Sequence, residues 1–323
     1  MTRRSACAPF LMNPAISVVI PTFNSRAYLE QALNSVFEQS LRDYEVIVID
    51  DGSTDSTPEY LGSLGDRITV IRQANKGSGA ARNCGMAAAR GRYIALLDHD
   101  DLWHRDKLRV QYDFMRSHPD AVGCSVPFVY STPPGKPGFD LSIRDADGCI
   151  PDALERYAEG HLFLLSSVMM LDRSRIADLR YETDRGSIED VALQVRLLLR
   201  GPYGIAGDAP LATYRVHESN TSNSAAHLFR GIKRLREIEG SDGFPGSTPG
   251  QRKAINRLIS ALARKMLVAQ VAVGRRDRAF KAYLSEWMHQ LRNHRIKFLC
   301  MFPFLLLLPT RLLQRFRSFR TRV

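Results

Sequence analysis

Cysteine is scarce in this chain of 323 residues: Cys7, Cys84, Cys124, Cys149 and Cys300, with no Cys-x-x-Cys pair. An odd, widely spaced set argues against a disulfide framework or a structural zinc site, and fits a reducing, cytosolic setting. Long apolar runs are missing as well. Phe298–Pro309 is apolar for 12 residues between Lys297 and Arg311, whereas a membrane-spanning helix needs about 20. Arg3 and Arg4 precede a stretch, Ala6–Met12, too short and mixed for a signal peptide, so no export signal is expected. Acids are sparse near the C-terminus: residues 231–323 hold 5 Asp and Glu against 20 Lys and Arg, while residues 1–230 hold 29 against 25. The basic character therefore belongs to the C-terminal segment. No internal repeat is evident.

With 44% apolar and 24% charged residues, the chain can bury one large core or a core plus a smaller appendage. Ile16–Ile20, closed by Pro21, is a β-branched run of the kind that forms a strand buried on both faces. Tyr28, Leu29, Ala32, Leu33, Val36 and Phe37 follow at helical spacing, then Tyr44–Ile49 as a second buried strand. The alternation continues through a strand at Ile68–Ile71, an Ala-rich helix at Ala80–Ala89 and a strand at Tyr93–Leu97. Such alternation means α/β, with functional loops at the carboxyl ends of parallel strands. Further on, Thr132–Gly138 is a loop, Leu162–Leu171 a strand or buried element, Ile188–Leu199 a helix and Leu211–Val216 a last strand. Residues 240–250 form a Gly/Pro-rich linker, beyond which Gln251–Val273 and Arg278–Leu291 read as basic amphipathic helices.

Two carboxylates one residue apart at a strand end, Asp98 and Asp100, can converge on a hard divalent cation that also takes diphosphate oxygens. An acidic turn that caps the next helix would look the same. Asp50-Asp51-Gly52-Ser53 is either a ligand-facing turn or a type I turn with side-chain capping. Arg82 can pair with phosphate or cover the sheet edge.

In order and spacing, Pro21-Thr22-Phe23-Asn24, Asp50-Asp51-Gly52-Ser53-Thr54-Asp55, Asn75-Lys76-Gly77 with Arg82-Asn83, and Asp98-His99-Asp100-Asp101 together resemble glycosyltransferase family 2. The resemblance covers residues 16–110 strongly and 110–220 more loosely. It implies an α/β fold of GT-A type: a mixed, mostly parallel sheet flanked by helices, here followed by a basic α-helical extension. The implied organisation is a tail at 1–15, a transferase domain at 16–225 and the extension at 226–323.

By the same resemblance, Pro21, Thr22, Phe23, Asn24, Asp51, Arg82, Asn83, Asp98 and Arg215 would bind a nucleotide-sugar, with Phe23 against the base and Asp51 reading its ring N–H. Asp98, Asp100 and His217 would hold Mn²⁺ or Mg²⁺, with His99 a spacer pointing away. Asp190, in Gly186-Ser187-Ile188-Glu189-Asp190, would be the general base on the acceptor hydroxyl, which implies inversion at the anomeric carbon. A plain helix cap at Ser187 is the alternative there. Tyr214-Arg215-Val216-His217 with Ser219-Asn220-Thr221-Ser222 would close the site.

The expected activity is sugar transfer from a nucleotide-diphosphate donor, UDP-linked in preference, to a lipid-linked or cell-surface glycan. A nucleotidyltransferase on a related scaffold would want a Gly-rich phosphate loop after the first strand, which Pro21–Asn24 lacks. A non-catalytic interaction protein is the other alternative. The basic, aliphatic C-terminal segment suits peripheral contact with anionic lipid at the inner face of the cell membrane better than nucleic acid, which would want aromatic stacking residues.

Overall fold

The computed structural model describes residues 13–132, 135–138, 143–183, 189–217, 225–272 and 274–308, with side chains except at 189 and 225–229. Six strands and helices alternate first: β1 (Ile16–Thr22), α1 (Arg26–Phe37), β2 (Tyr44–Asp50), α2 (Thr57–Ser63), β3 (Thr69–Arg72) and α3 (Ser78–Ala88). Then come β4 (Tyr93–Leu96), β5 (Leu102–Trp103), α4 (Lys107–Ser117), β6 (Gly123–Ser125), β7 (Phe128–Tyr130), β8 (Lys136–Pro137), β9 (Cys149–Ile150), α5 (Ala153–Glu159) and β10 (Met169–Asp172). The remainder is α6 (Glu189–Leu198), β11 (Tyr203–Ile205), β12 (Ala212–Tyr214), α7 (Ala225–Gly240), α8 (Pro249–Ala272), α9 (Arg276–Arg292) and α10 (Ile296–Leu305).

The main sheet runs β3-β2-β1-β4-β10-β6-β11-β9. Strands β1 to β4 are parallel neighbours, while β10 lies antiparallel to both β4 and β6. The sheet is thus mixed and mostly parallel, as expected. A smaller sheet, β5-β12-β7-β8, stands beside it. Leu162–Leu171 is only partly a strand: Leu162 and Leu164 are buried without strand structure, and a 3₁₀ turn at Ser166–Val168 precedes β10.

The continuous apolar runs are explained by burial on two faces. Ile16, Val18, Ile20, Val46 and Val48 point to one side, with Leu29, Leu33 and Val36 of α1 and Leu108 of α4. Val19, Ile47 and Ile49 point to the other, with Ala81 and Met86 of α3. Alternation along each strand delivers successive side chains to opposite cores, each buried Val or Ile contributing roughly 1.5–3 kcal/mol. Gly85 lets α3 lie close on the sheet: a Cβ there would stand 2.4 Å from Val19 Cγ1.

The C-terminal helices share this second core. Ile255, Leu258 and Leu267 of α8 belong to the same buried cluster as Ile94 and Leu171 of the sheet, and α8 packs on α5. Among the described residues, no helix is long and apolar enough to cross a membrane.

Candidate active site

Three parallel strands, β2, β1 and β4, end side by side, and the loops after β2 and β4 carry the acids. At the end of β1, Thr22 Oγ1 and Ser25 Oγ are 2.6 Å apart and buried. Asn24 takes a left-handed backbone (φ 46°), which Asn tolerates better than most residues. Its Oδ1 accepts from Thr54 N at 2.7 Å and Asp55 N at 3.3 Å, which laces the first loop to the one after β2. Phe23 is left exposed beside them.

Asp51 follows β2 and is almost fully buried. Its Oδ1 accepts from Gln73 Nε2 (2.7 Å) and Lys76 N (2.8 Å), and its Oδ2 from Gly77 N (2.7 Å). A carboxylate has about four acceptor positions, so room for one further donor remains. Gly52 makes this approach possible: its φ is +83°, and a Cβ would come within 3.0 Å of Asn75 N.

Asp98 follows β4. Arg82 Nη2, from α3, lies 2.6 Å from Asp98 Oδ1, and Asp98 N donates to Ser167 Oγ at 3.0 Å. Burial pushes the Asp98 carboxyl pKa up, but the Arg82 charge and hydrogen bond, with help from His99 and Ser167, hold it below the usual range. Ser167 is itself fixed through its carbonyl, which accepts from Trp103 Nε1 at 2.7 Å. His99 turns its Nδ1 to the Pro21 carbonyl at 3.2 Å, tying the β4 loop to the β1 loop.

Asp100 Oδ2 and His217 Nε2 are 2.9 Å apart, and the His217 ring stacks on Tyr28 of α1 at 5.0 Å. Arg215 donates through Nε to the Asp100 carbonyl and through Nη1 to Gln31 Oε1 at 2.8 Å, while its backbone N donates to Asp101 Oδ1 at 2.9 Å. Asp101 is buried, and burial together with the charges of Asp98 and Asp100 pushes its pKa up to about 8.

The donor set of two carboxylates and an imidazole suits Mn²⁺ or Mg²⁺ by its chemistry. Two neighbouring ligands of one such ion lie about 3 Å apart, given metal–ligand distances near 2.1 Å. The Asp100–His217 spacing matches that, while Asp98 faces Arg82 and does not gather its carboxylate with those two.

Asp190 stands in the first turn of α6, partly buried. Its charge acts on the buried hydroxyls of Tyr157 and Tyr181; burial is the main cause that raises both, Tyr181 to about 12. The Tyr181 hydroxyl feels Arg82, Asp98 and Asp190 together, and Arg82 also lies 5.2 Å over the Tyr181 ring. Gly186, Ser187 and Ile188 of that motif lie outside the described residues, as do Ser219–Ser222 and Cys7.

Asn83 differs from its neighbour. Its Nδ2 donates to Tyr181 O (2.9 Å) and its Oδ1 accepts from Tyr181 N (2.8 Å), so both ends of the amide hold backbone. Ser167, Gln73, Tyr28 and Tyr181 had no motif to mark them. Asp101 had only its place beside Asp100.

Two other polar features lie elsewhere. His118, Asp147 and Cys149 gather their ligand atoms within 4.8 Å at the end of α4 and the β9 edge. A cavity of about 670 Å³ borders Ala15, Tyr93 and Arg90, Arg92, Arg173 and Arg180. It opens at the amino ends of β1 and β4, whereas the acids occupy the carboxyl ends, so the chemistry is assigned to the latter.

The description Glycosyl transferase family 2 matches residues 17–159. TuaG of Bacillus subtilis, named as a teichuronic acid biosynthesis glycosyltransferase, is 33% identical over 70% of this chain and 89% of its own length. WfaP of Escherichia coli, named as a UDP-Glc:α-D-GlcNAc-diphosphoundecaprenol β-1,3-glucosyltransferase, is 29% identical over 69% of this chain and 86% of its own. Among solved structures, S. aureus TarS 1-349 with UDP-GlcNAc has a TM-score of 0.56 at 16% identity, covering 80% of this chain and 86% of TarS 1-349. The mannosyltransferase PcManGT of Pyrobaculum calidifontis, with GDP-Man and Mn²⁺, has a TM-score of 0.54 at 16% identity, covering 91% and 86%. These last two likenesses concern the fold alone. With the mixed sheet, the acids at its carboxyl edge and a relative one-third identical along most of its length, this chain belongs to glycosyltransferase family 2.

Proposed function

We propose that this glycosyltransferase uses a UDP-sugar donor and inverts the anomeric centre as it glycosylates a lipid-linked or cell-surface glycan. The observation that carries the reading is the placing of Asp51 after β2 and of the Arg82–Asp98 and Asp100–His217 pairs after β4, at the carboxyl ends of strands on either side of β1. Family membership sets aside the nucleotidyltransferase alternative. The two relatives whose names specify cell-surface polymer or lipid-diphosphate chemistry support the acceptor class.

In this reading Phe23 lies against the base, while Pro21, Thr22 and Asn24 shape the pocket and the remaining acceptor position of Asp51 takes the ring N–H. Arg82 holds Asp98, and Arg215 braces the Asp100 backbone. Asn83 acts on the donor indirectly by fixing Tyr181. Asp98, Asp100 and His217 would hold Mn²⁺ or Mg²⁺, which when bound offsets charge on the departing diphosphate. Asp190 takes the proton of the acceptor hydroxyl. That oxygen then bonds to the anomeric carbon as the bond to the diphosphate oxygen breaks, leaving UDP with the electron pair.

Residues 16–225 perform the transfer; the extension at 226–323, whose described helices pack on that domain, brings it to the inner face of a membrane, and 1–15 precede both. Release of nucleoside diphosphate from a panel of UDP-, GDP- and dTDP-sugars, with and without Mn²⁺ or Mg²⁺, tests the proposal. Metal-dependent release from a UDP-sugar, abolished in Asp98→Ala/Asp100→Ala, is the expected result. Release from a GDP-sugar alone, or undiminished release in the double variant, would overturn it.

A further inference from the structure

Helix α9 turns polar as well as apolar side chains inward and keeps a broad apolar stripe outside. Its buried side consists of Ala279, Ala282, Tyr283, Glu286 and Gln290. Glu286 Oε2 accepts from Arg236 Nη2 at 2.9 Å, Gln290 Nε2 donates to Ser260 O at 2.9 Å, and Arg264 Nη1 donates to Gln290 Oε1 at 3.0 Å. The outer side carries Phe280, Leu284, Trp287, Met288 and Leu291, exposed by 37% for Leu291 up to 55% for Leu284. At helical spacing these five fall in an arc of about 100°, the width of the apolar stripe that a globular helix normally turns inward. Here a stripe of that width faces out, while Ala279, Ala282 and Tyr283 join the core and Glu286 and Gln290 join a polar network on the inner side.

Helix α10 continues the surface. Leu299 and Phe302 pack inward, Phe302 stacking on Tyr283 with ring centres 5.0 Å apart, and Tyr283 Oη donates to Leu299 O at 2.7 Å. Ile296, Met301, Phe304 and Leu307 stay outside, the last two 69% and 78% exposed. The described part of the apolar run is therefore divided, one side fastening α10 to α9 and the other joining the stripe.

Charge identifies what covers the surface. Residues 276–308 hold six Lys and Arg against Asp277 and Glu286; Glu286 is buried in its pair with Arg236, and Asp277 is the one exposed acid, at the amino end of the stripe. Lys281 and Arg292 are exposed beside the stripe, and Arg295, between the two helices, and Lys297, in the first turn of α10, are exposed as well. An apolar stripe with a cationic border and few free acids complements an anionic lipid surface, acyl chains to the stripe and headgroups to the border. At 17 and 10 residues, neither helix can cross a bilayer, which leaves an orientation in its plane. The indole of Trp287 suits the interfacial depth.

We propose that the outer faces of α9 and α10 form an in-plane docking surface for anionic lipid. This deepens the membrane location proposed above but is independent of the transfer chemistry.

The test uses the full chain with vesicles of phosphatidylcholine alone or mixed with phosphatidylglycerol, read by flotation and by tryptophan emission. Binding to the mixed vesicles with a blue-shifted emission is expected, together with loss of both in Leu284→Ser/Trp287→Ser. Lys281→Glu/Arg292→Glu should weaken binding to the mixed vesicles by about tenfold or more, since each cation near such a surface adds roughly 1 kcal/mol. Retained thermal melting and nucleotide binding show that the variants are folded. Equal binding to both vesicle types, undiminished binding in either variant, or a dimer that replaces vesicle binding would overturn the proposal. Donor cleavage in lipid-free solution reports on the transfer chemistry alone, so failure of one reading leaves the other standing.

Discussion

Arg82 Nη2 lies 2.6 Å from Asp98 Oδ1, so the first acid of the Asp98-His99-Asp100 triplet is held by a guanidinium from the preceding helix. Asp98 keeps 25% of its side-chain surface exposed. Removing its partner should therefore cost on the order of 2 kcal/mol, less than the 3–5 kcal/mol of a fully buried pair. Arg82→Ala is expected to lower the melting temperature and reduce nucleoside-diphosphate release by about a hundredfold, as loss of one preorganised charge contact does. The pH dependence should change as well. With its folded pKa held low, Asp98 contributes stability that is present above its unfolded pKa and disappears as pH falls through the lower folded value. In the variant, burial acts unopposed by Arg82, so acid unfolding should begin at higher pH.

Asn83 provides a test of positioning against binding. Asn83→Asp replaces the donor facing Tyr181 O with an acceptor, which should destabilise the fold by about 1–3 kcal/mol. The expected kinetic result is a lower kcat with KM for the donor little changed. A selective rise in donor KM would instead show that Asn83 touches the nucleotide-sugar.

The two clusters with metal-ligand chemistry should behave differently. Asp100→Asn and His217→Gln are expected to raise the Mn²⁺ or Mg²⁺ concentration needed for half-maximal donor cleavage, by about tenfold or more. Cys149→Ser, at the β9 edge, should leave that concentration unchanged. A shift with Cys149→Ser would move the metal assignment to His118, Asp147 and Cys149.

Lys107 lies fully buried, its Nζ 2.6 Å from Gln111 Oε1 and 3.8 Å from the centre of the Trp103 ring. Burial lowers its pKa to about 7. The unfolded chain then binds more protons than the folded one between about pH 7 and the ordinary lysine value near 10.4, so Lys107 makes stability rise with pH across that window. Denaturant titrations of Lys107→Met should show a flatter dependence there, and a steeper or unchanged slope would contradict the assignment.

The parallel strands, the acids at their ends and the family were legible in the sequence for a physical reason. A strand buried on two faces must be apolar throughout, as Ile16–Ile20 is, and a turn that closes it concentrates Asp, Gly and Ser, as Asp50–Ser53 does. These are local requirements, and a local pattern records them. Tertiary structure alone decided which groups face one another. Nothing near Arg82 in the sequence shows that it pairs with Asp98 while Asn83 beside it clamps Tyr181, 98 residues away. Likewise, the amphipathic spacing of Arg278–Leu291 marks a helix but not which side is buried. Arg236, Ser260 and Arg264, brought in by α7 and α8, draw Glu286 and Gln290 inward and leave Phe280, Leu284 and Trp287 outside, because buried polar groups need partners that only a neighbouring element supplies.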